Sequence, residues 1–437
     1  MRHHLKWTAV GAALLVAATG CGSGKKSTSG PSGGGALKGV TLDVYAVWSG
    51  QEQANFQKVL DAFHAKTGAT VRFTSTGDNL ATVLGSKIAG GQAPDVAMIP
   101  QQGVLVEYAK KGWVKPLGAE AQQAIGQNYS KIWQDLGTVD GKLYGVYFKA
   151  ANKSTVWYRT KAFADAGITT PPATWPDFVK AAGTLADSGT APIAVGGGDG
   201  WTLTDWFENV YLSQAGAANY DKLSKHQIKW TDPTVKTALK TLAEIWGKPN
   251  YLAGGAAGAL ADDFPTSVTR TFGDAPKAAM VYEGDFVAVN IAKDTKAKVG
   301  TDAKVFPFPT VGAQPPVVGG GDAAAVLKDS PGAQQLVAYL ASPEAATIEA
   351  KAGGFTSPNK SVDVASYPDD TQRTIAKALV DVGDGFRFDM SDLAPAAFGG
   401  TKGAGEWKDL QDFLKTPSDV DGAAAKLEAD AAKAFKS

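Results

Sequence analysis

Three kinds of side chain recur where apolar stretches give way to turns: flat aromatics, planar amides and carboxylates. Trp48-Ser49-Gly50-Gln51-Glu52 closes one such stretch, Gln101 and Gln102 follow another, and Glu283-Gly284-Asp285-Phe286 closes a third. Two glycine runs end in the same way, Gly196-Gly197-Gly198-Asp199-Gly200-Trp201 and Gly319-Gly320-Gly321-Asp322. Rings offer flat apolar faces, while amides and carboxylates donate and accept hydrogen bonds. That combination suits a ligand with C–H faces and a rim of hydroxyls. Bland roles stand beside these. Trp48 can be core, Glu52 can open a helix, the paired amides can be solvated, and Asp322 can form a turn. Trp206, with Glu208 on the same expected helix, reads as core packing.

Other chemistries are weaker. Asp262-Asp263 and Glu283/Asp285 have the residue types of an acid–base pair, but neighbouring carboxylates are common by chance. The glycines of 196–201 invite comparison with a phosphate loop, yet the lysine and Ser/Thr of a P-loop are missing. A single Cys among 437 residues excludes an intrachain disulfide and a Cys-based zinc site. Basic and acidic residues balance at 43 each, so no field draws the chain to nucleic acid. With 41 aromatic residues there is ample material for a core.

The elements that must hold these groups alternate. Val40–Trp48 reads as a strand. Phe56, Val59, Leu60 and Phe63 then form one helix face, capped by Gly68. Val71 and Phe73 mark a second strand, Leu80, Val83, Leu84 and Ile88 a second helix, and Pro94–Ile99 a third strand. A βαβαβ series of this kind predicts a parallel, doubly wound α/β sheet. Later helices announce their starts at Thr174-Trp175-Pro176-Asp177, Asp232-Pro233 and Ser330-Pro331.

The first residues read as an address. Arg2 and Lys6 precede a short apolar run, and Leu15–Cys21 is similar to a bacterial lipobox, so 1–21 is expected to be a lipoprotein signal with Cys21 acylated. Residues 22–38 read as a flexible Gly/Ser linker. Removing 1–21 leaves 41 basic against 43 acidic residues and only His64 and His226. That speaks against His-metal sites and Ser-His-Asp catalysis.

Several ordered segments resemble the family 1 extracellular solute-binding proteins of bacterial ABC importers, the maltose-binding kind. They are Gly91–Val96 with Leu105–Leu117, Asp140–Val146 with Val156–Tyr158 and Thr174–Phe178, Ala278–Phe286, Phe306–Pro309 with Gly319–Gly321, and Ala338–Ser342. Phe148–Ser154 and Phe386–Leu393 look like the α-glucoside-binding subset. The resemblance implies a two-lobed, periplasmic-binding-protein-like α/β fold (type II), each lobe a mostly parallel doubly wound sheet, with a ligand cleft between them. Crossings are expected near Phe148–Lys153, Phe306–Pro309 and Phe355–Asn359. The first lobe would then be 39–149 plus 310–357 and the second 150–309 plus 358–437.

The resemblance further implies a polar ligand contact at Asn152 and stacking aromatics at Phe286 and Trp407. With these, the expected ligand-binding set is Trp48, Gln51, Glu52, Gln101, Gln102, Asn152, Asp199, Trp201, Glu283, Asp285, Phe286, Asp322, Arg387 and Trp407. Arg387 and Asp389 either form an ion pair or grip hydroxyls. The implied function is capture of a carbohydrate outside the cytoplasm and its delivery to permease subunits. The chain would act as a monomer, without cofactor, metal or nucleic acid, held to the membrane only by its lipid. A glycosidase and a sugar-sensing lipoprotein are the alternatives.

Overall fold

A computed structural model describes residues 35–382 and 385–436. The leader, its Cys21 and most of the linker lie outside that range. Residues 35–38 are not spacer: Leu37 is buried and its N–H donates to Thr67 O at 2.9 Å.

Twelve strands occur in the described chain: β1 Thr41–Ala46, β2 Thr70–Ser75, β3 Val96–Ile99, β4 Thr138–Val139, β5 Lys142–Leu143, β6 Gly145–Asn152, β7 Thr155–Arg159, β8 Ala191–Ala194, β9 Ala278–Glu283, β10 Ala303–Pro307, β11 Val318–Val326 and β12 Arg387–Phe388. The first sheet runs β12-β11-β3-β1-β2, with β6 also on β11. The second runs β10-β7-β9-β8, and β4 pairs with β5.

The βαβαβ reading holds for the opening of the fold. Helices Gly50–Thr67 and Leu80–Ala89 connect three parallel strands, β2, β1 and β3. Phe56, Val59, Leu60 and Phe63 are the buried face of the first helix, and Gly68 ends it at φ 78°. Thr174, Asp232 and Ser330 each cap a helix through a side-chain oxygen. The sheets are more mixed than expected. β11 is antiparallel to both β3 and β6, and β7 is antiparallel to β9 and β10. The reason is that β6 and β11 are crossing strands. A chain that leaves a lobe extended and later returns can pair antiparallel without a crossover helix.

Two principal cores follow the two sheets. One gathers Val44, Phe56, Phe63, Ile99 and Phe148, the other Phe178, Trp206, Trp230, Leu239 and Phe413. The chain changes sheets between β6 and β7, between β10 and β11, and after β12. The third crossing therefore departs from the expected Phe355–Asn359. Thr356 bridges to Ala150 of β6, and Phe386 and Phe388 pack on Trp133 beside the first sheet. From Met390 onward the chain lies in the second core, and before it Ile375 shares a smaller cluster with Phe272, Val281 and Phe286 of the second lobe. The expected assignment of all of 358–437 to the second lobe is corrected accordingly, because the rings of Phe386 and Phe388 are buried against the first.

Lys153-Ser154 is where the crossings meet. Lys153 N–H donates to Val318 O at 2.9 Å, Phe308 N–H donates to Ser154 O at 2.8 Å, and Val318 N–H donates to Ser154 Oγ at 2.8 Å. Lys153 Nζ reaches Asp389 at 2.5 Å and Asp205 at 3.2 Å. One dipeptide thus holds all three connections.

Two buried acids nearby carry a pH signature. Burial pushes Glu349 up to about 8, opposed by Lys149, and Asp285 up to about 7, opposed by the hydrogen bond from Thr356. In an unfolded chain both would titrate near the ordinary carboxylate value, roughly 4. Between those values the native state holds protons that the unfolded state has released, so stability falls as pH rises through the window. The melting temperature is expected to be higher at pH 6 than at pH 8.5, by about 2–4 °C per group. Glu349→Gln should flatten that slope. Calorimetry showing a flat or rising melting temperature over the interval would refute it.

Candidate functional site

A cleft of about 390 Å³ lies between the lobes. Its floor is the crossing strands. Alternation along β6 and the residue beyond it puts Lys149, Ala151 and Lys153 on one face, and all three line the cleft beside Gly320, Gly321 and Asp322 of β11. The Lys153 chain passes close over Gly320: a Cβ there would lie 2.9 Å from Lys153 Cε.

The first lobe contributes the ends of β1 and β3 and the loop after β2. These bring Trp48, Gln51 and Glu52, then Gln101, then Asp78. The second lobe brings Asp199, Trp201, Asp263, Phe264, Phe286 and Trp407. Trp201 opens the helix Trp201–Ala215 directly after Gly200, which has φ 89°. A Cβ on Gly200 would meet Trp407 Cβ at 2.8 Å, so glycine lets the two indoles converge. Phe286, Phe264 and Trp201 form one aromatic wall, with centroids 5.2–6.0 Å apart.

Nine of the fourteen expected residues line this cleft: Trp48, Gln51, Glu52, Gln101, Asp199, Trp201, Phe286, Asp322 and Trp407. Five do not, each for a local reason. Gln102 is the first residue of the helix Gln102–Lys110, which turns it away from Gln101, and its amide donates to Leu136 O at 3.4 Å. Asn152 braces the crossing, its Oδ1 accepting from Ser154 N–H at 3.0 Å. Glu283 is buried at the end of β9, 1% exposed, where burial pushes its carboxyl well up. Asp285 accepts from Thr356 Oγ1–H at 2.8 Å. Arg387 pairs with Asp221 at 2.6 Å, so the ion-pair alternative holds with a different acid. Asp389 instead meets Lys153.

Sequence reading missed Lys149, Lys153, Asp78, Asp263, Phe264, Lys293 and Asp392, which also line the cleft. The lysines had a signal. Two cations four residues apart in a strand that is otherwise apolar are costly to bury unless paired. Lys149 lies 3.4 Å from Asp322 and 3.9 Å from Glu52. Around Lys153, desolvation opposes the charge, but Asp205, Asp389 and Asp392 outweigh it and hold the ammonium well above its usual range. Asp392 is raised by burial and by Asp389, with Lys153 acting against them.

Across the mouth, Lys402 of the second lobe reaches Asp199 at 3.2 Å and Asp78 of the first at 3.6 Å. Burial, then Asp199, push Asp78 up to about 6, against Lys402. In the lining, six carboxylates face three lysines. The candidate acid–base pairs are used structurally. Asp262 is ion-paired with Arg270, and Asp263 caps the helix Phe264–Phe272. Among the described residues no cluster of His, Cys, Asp or Glu is placed to hold a metal ion, and no helix is long and apolar enough to cross a membrane.

Two α/β lobes with a lined cleft between them define the class of a hinged ligand receptor. The chain matches the family described as bacterial extracellular solute-binding protein over residues 48–347, and it belongs to that family. It is 33% identical over 396 residues to the osmoprotective compounds-binding protein GgtB of Synechocystis, covering 89% of this chain and 92% of that one. It is also 33% identical over 409 residues to the alpha-glucosides-binding periplasmic protein AglE of Rhizobium meliloti, covering 90% and 87%. Among solved structures, the solute receptor AcbH superposes with a TM-score of 0.76 at 20% identity, over 90% of this chain and 99% of that one. The GacH receptor of Streptomyces glaucescens does so with 0.73 at 17%, over 91% and 98%. These structures share the fold. The chain is an extracytoplasmic solute-binding receptor of the ABC-importer class, not an enzyme.

The aromatic wall separates two roles. Phe286 is 8% exposed and packed on Phe264, whereas Trp201 is half-buried. Phe286→Ala should therefore destabilise the ligand-free protein, with about 3–5 kcal/mol as the upper bound for a buried ring. Trp201→Ala should cost distinctly less. Ligand-free denaturant titrations check this, and equal losses would contradict the assignment.

Proposed function

We propose that the chain captures an uncharged α-glucoside, a short oligosaccharide, and hands it to ABC-transporter permease subunits while tethered to the membrane through acylated Cys21. The observation that carries the reading is the two-sided lining of the cleft. Trp201 on the second lobe offers an accessible ring face for sugar C–H surfaces, and the buried rings of Trp48, Phe286 and Trp407 line the walls on the two sides. Gln51, Gln101, Asp199 and Asp322 offer amide and carboxylate groups for hydroxyls. The volume falls in the range of small-molecule sites. The acidic excess of the lining disfavours anionic solutes such as sugar phosphates. The relative named for α-glucosides, similar over nearly the whole chain, supports the substrate class. Contacts from both lobes also make closure the natural consequence of binding, since a ligand shifts a hinge only by binding the closed state better.

A thermal-shift panel tests the substrate. Maltose, trehalose and sucrose should raise the melting temperature, and a ligand present at 100 times its dissociation constant adds about 2.7 kcal/mol. Cellobiose and glucose 6-phosphate should not. If none of the α-glucosides shifts the transition, the substrate assignment fails. For the anchor, Cys21→Ser removes the acylated thiol and should release the protein from the membrane fraction. A variant that still sediments with membranes would refute the tether.

A further inference from the structure

Lys149 occupies a box that would otherwise suit a foreign cation. Its Nζ lies 4.5 Å from the centroid of the Trp48 ring and 3.5 Å from that of Phe355. Asp322 and Glu52 stand on the same ammonium at 3.4 and 3.9 Å. A cation over aromatic faces with carboxylates beside it is the arrangement that recognises alkylammonium groups. Here the arrangement is filled from within, by a side chain 8% exposed whose strand holds it in place. Lys153 does the same for Trp201, at 5.5 Å from the ring.

We propose that Lys149 is the residue that sets the charge class of the ligand: as a resident cation it excludes positively charged solutes and leaves the cleft to uncharged polyols. The proposal deepens, and rests on, the reading of this cleft as a site for uncharged sugars. Two effects act together. The ammonium repels a second cation from Trp48, Glu52 and Asp322. It also presents N–H donors that a hydroxyl can accept, while Asp322 and Glu52 accept from hydroxyls in turn. Without the lysine, the same ring and two carboxylates become an empty cation box.

The test is calorimetric titration of wild type, Lys149→Met, Lys149→Gln and Lys149→Arg, each with maltose, trehalose and choline. Wild type and Lys149→Arg should take a disaccharide and show no choline binding. Lys149→Met should bind choline at least tenfold more tightly than wild type and lose disaccharide affinity at least tenfold. Adding Glu52→Gln to Lys149→Met should take the choline gain away. Choline binding by wild type would overturn the proposal without any variant. So would a folded Lys149→Met or Lys149→Gln protein, checked by its melting transition, that gains no choline binding. If wild type binds neither disaccharide while the neutral variants gain choline, the sugar reading fails and the role of Lys149 stands.

Discussion

The molecule depends on one buried cation at the point where its lobes are joined. Lys153 lies between the first sheet and the second, its backbone bonded to β11 and its ammonium to Asp205 and Asp389. Taking such charges out of water is expensive, and the cost is recovered only when geometry and hydrogen bonding are complete. Here they are nearly complete. Asn209 donates to Lys153 O at 3.0 Å, and Tyr282 O–H donates to it at 2.7 Å. Ser391 O–H donates to the far oxygen of Asp389 at 2.8 Å. Three chain crossings are thereby pinned to one another while the lobes on either side keep separate cores.

That constraint builds the cleft. A crossing strand that must carry a buried lysine at 153 presents Ala151 and Lys149 on the same face, so the floor of the site has two fixed cations four residues apart. Each needs carboxylates, and the carboxylates come from elements that end at the cleft: β11 and the first helix for Lys149, the second lobe's helix and the β12 corner for Lys153. Half of the acidic lining, Glu52, Asp322 and Asp392, stands on these lysines, while Asp78 and Asp199 meet Lys402 and Asp263 caps a helix. The rings follow from the strand ends and glycine corners around them. Gly200 and Gly320 matter because indole and lysine chains pass where a side chain would stand.

The opening βαβαβ unit, the caps at Thr174, Asp232 and Ser330, and most aromatic platforms were legible along the chain. Local periodicity and capping chemistry suffice for those. The expected site failed at particular residues for particular reasons. Gln102 differs from Gln101 by one helical step. Glu283 and Asp285 sit at a strand end, as a ligand contact would, but face the junction and Thr356. Arg387 found Asp221, which is 166 residues away. The third crossing was misplaced because Phe386 and Phe388 commit to Trp133, a packing choice with no local signal.

The sequence by itself determined the class of the fold, the family and the kinds of group the cleft would use, because strand alternation, helix stripes and turn residues act over a few positions. Tertiary structure alone decided which of those groups face the ligand space. A carboxylate or an amide looks the same in sequence whether it meets a hydroxyl, a lysine or a backbone N–H. Its partner is chosen only when segments hundreds of residues apart are buried together and every charge at the junction must be satisfied.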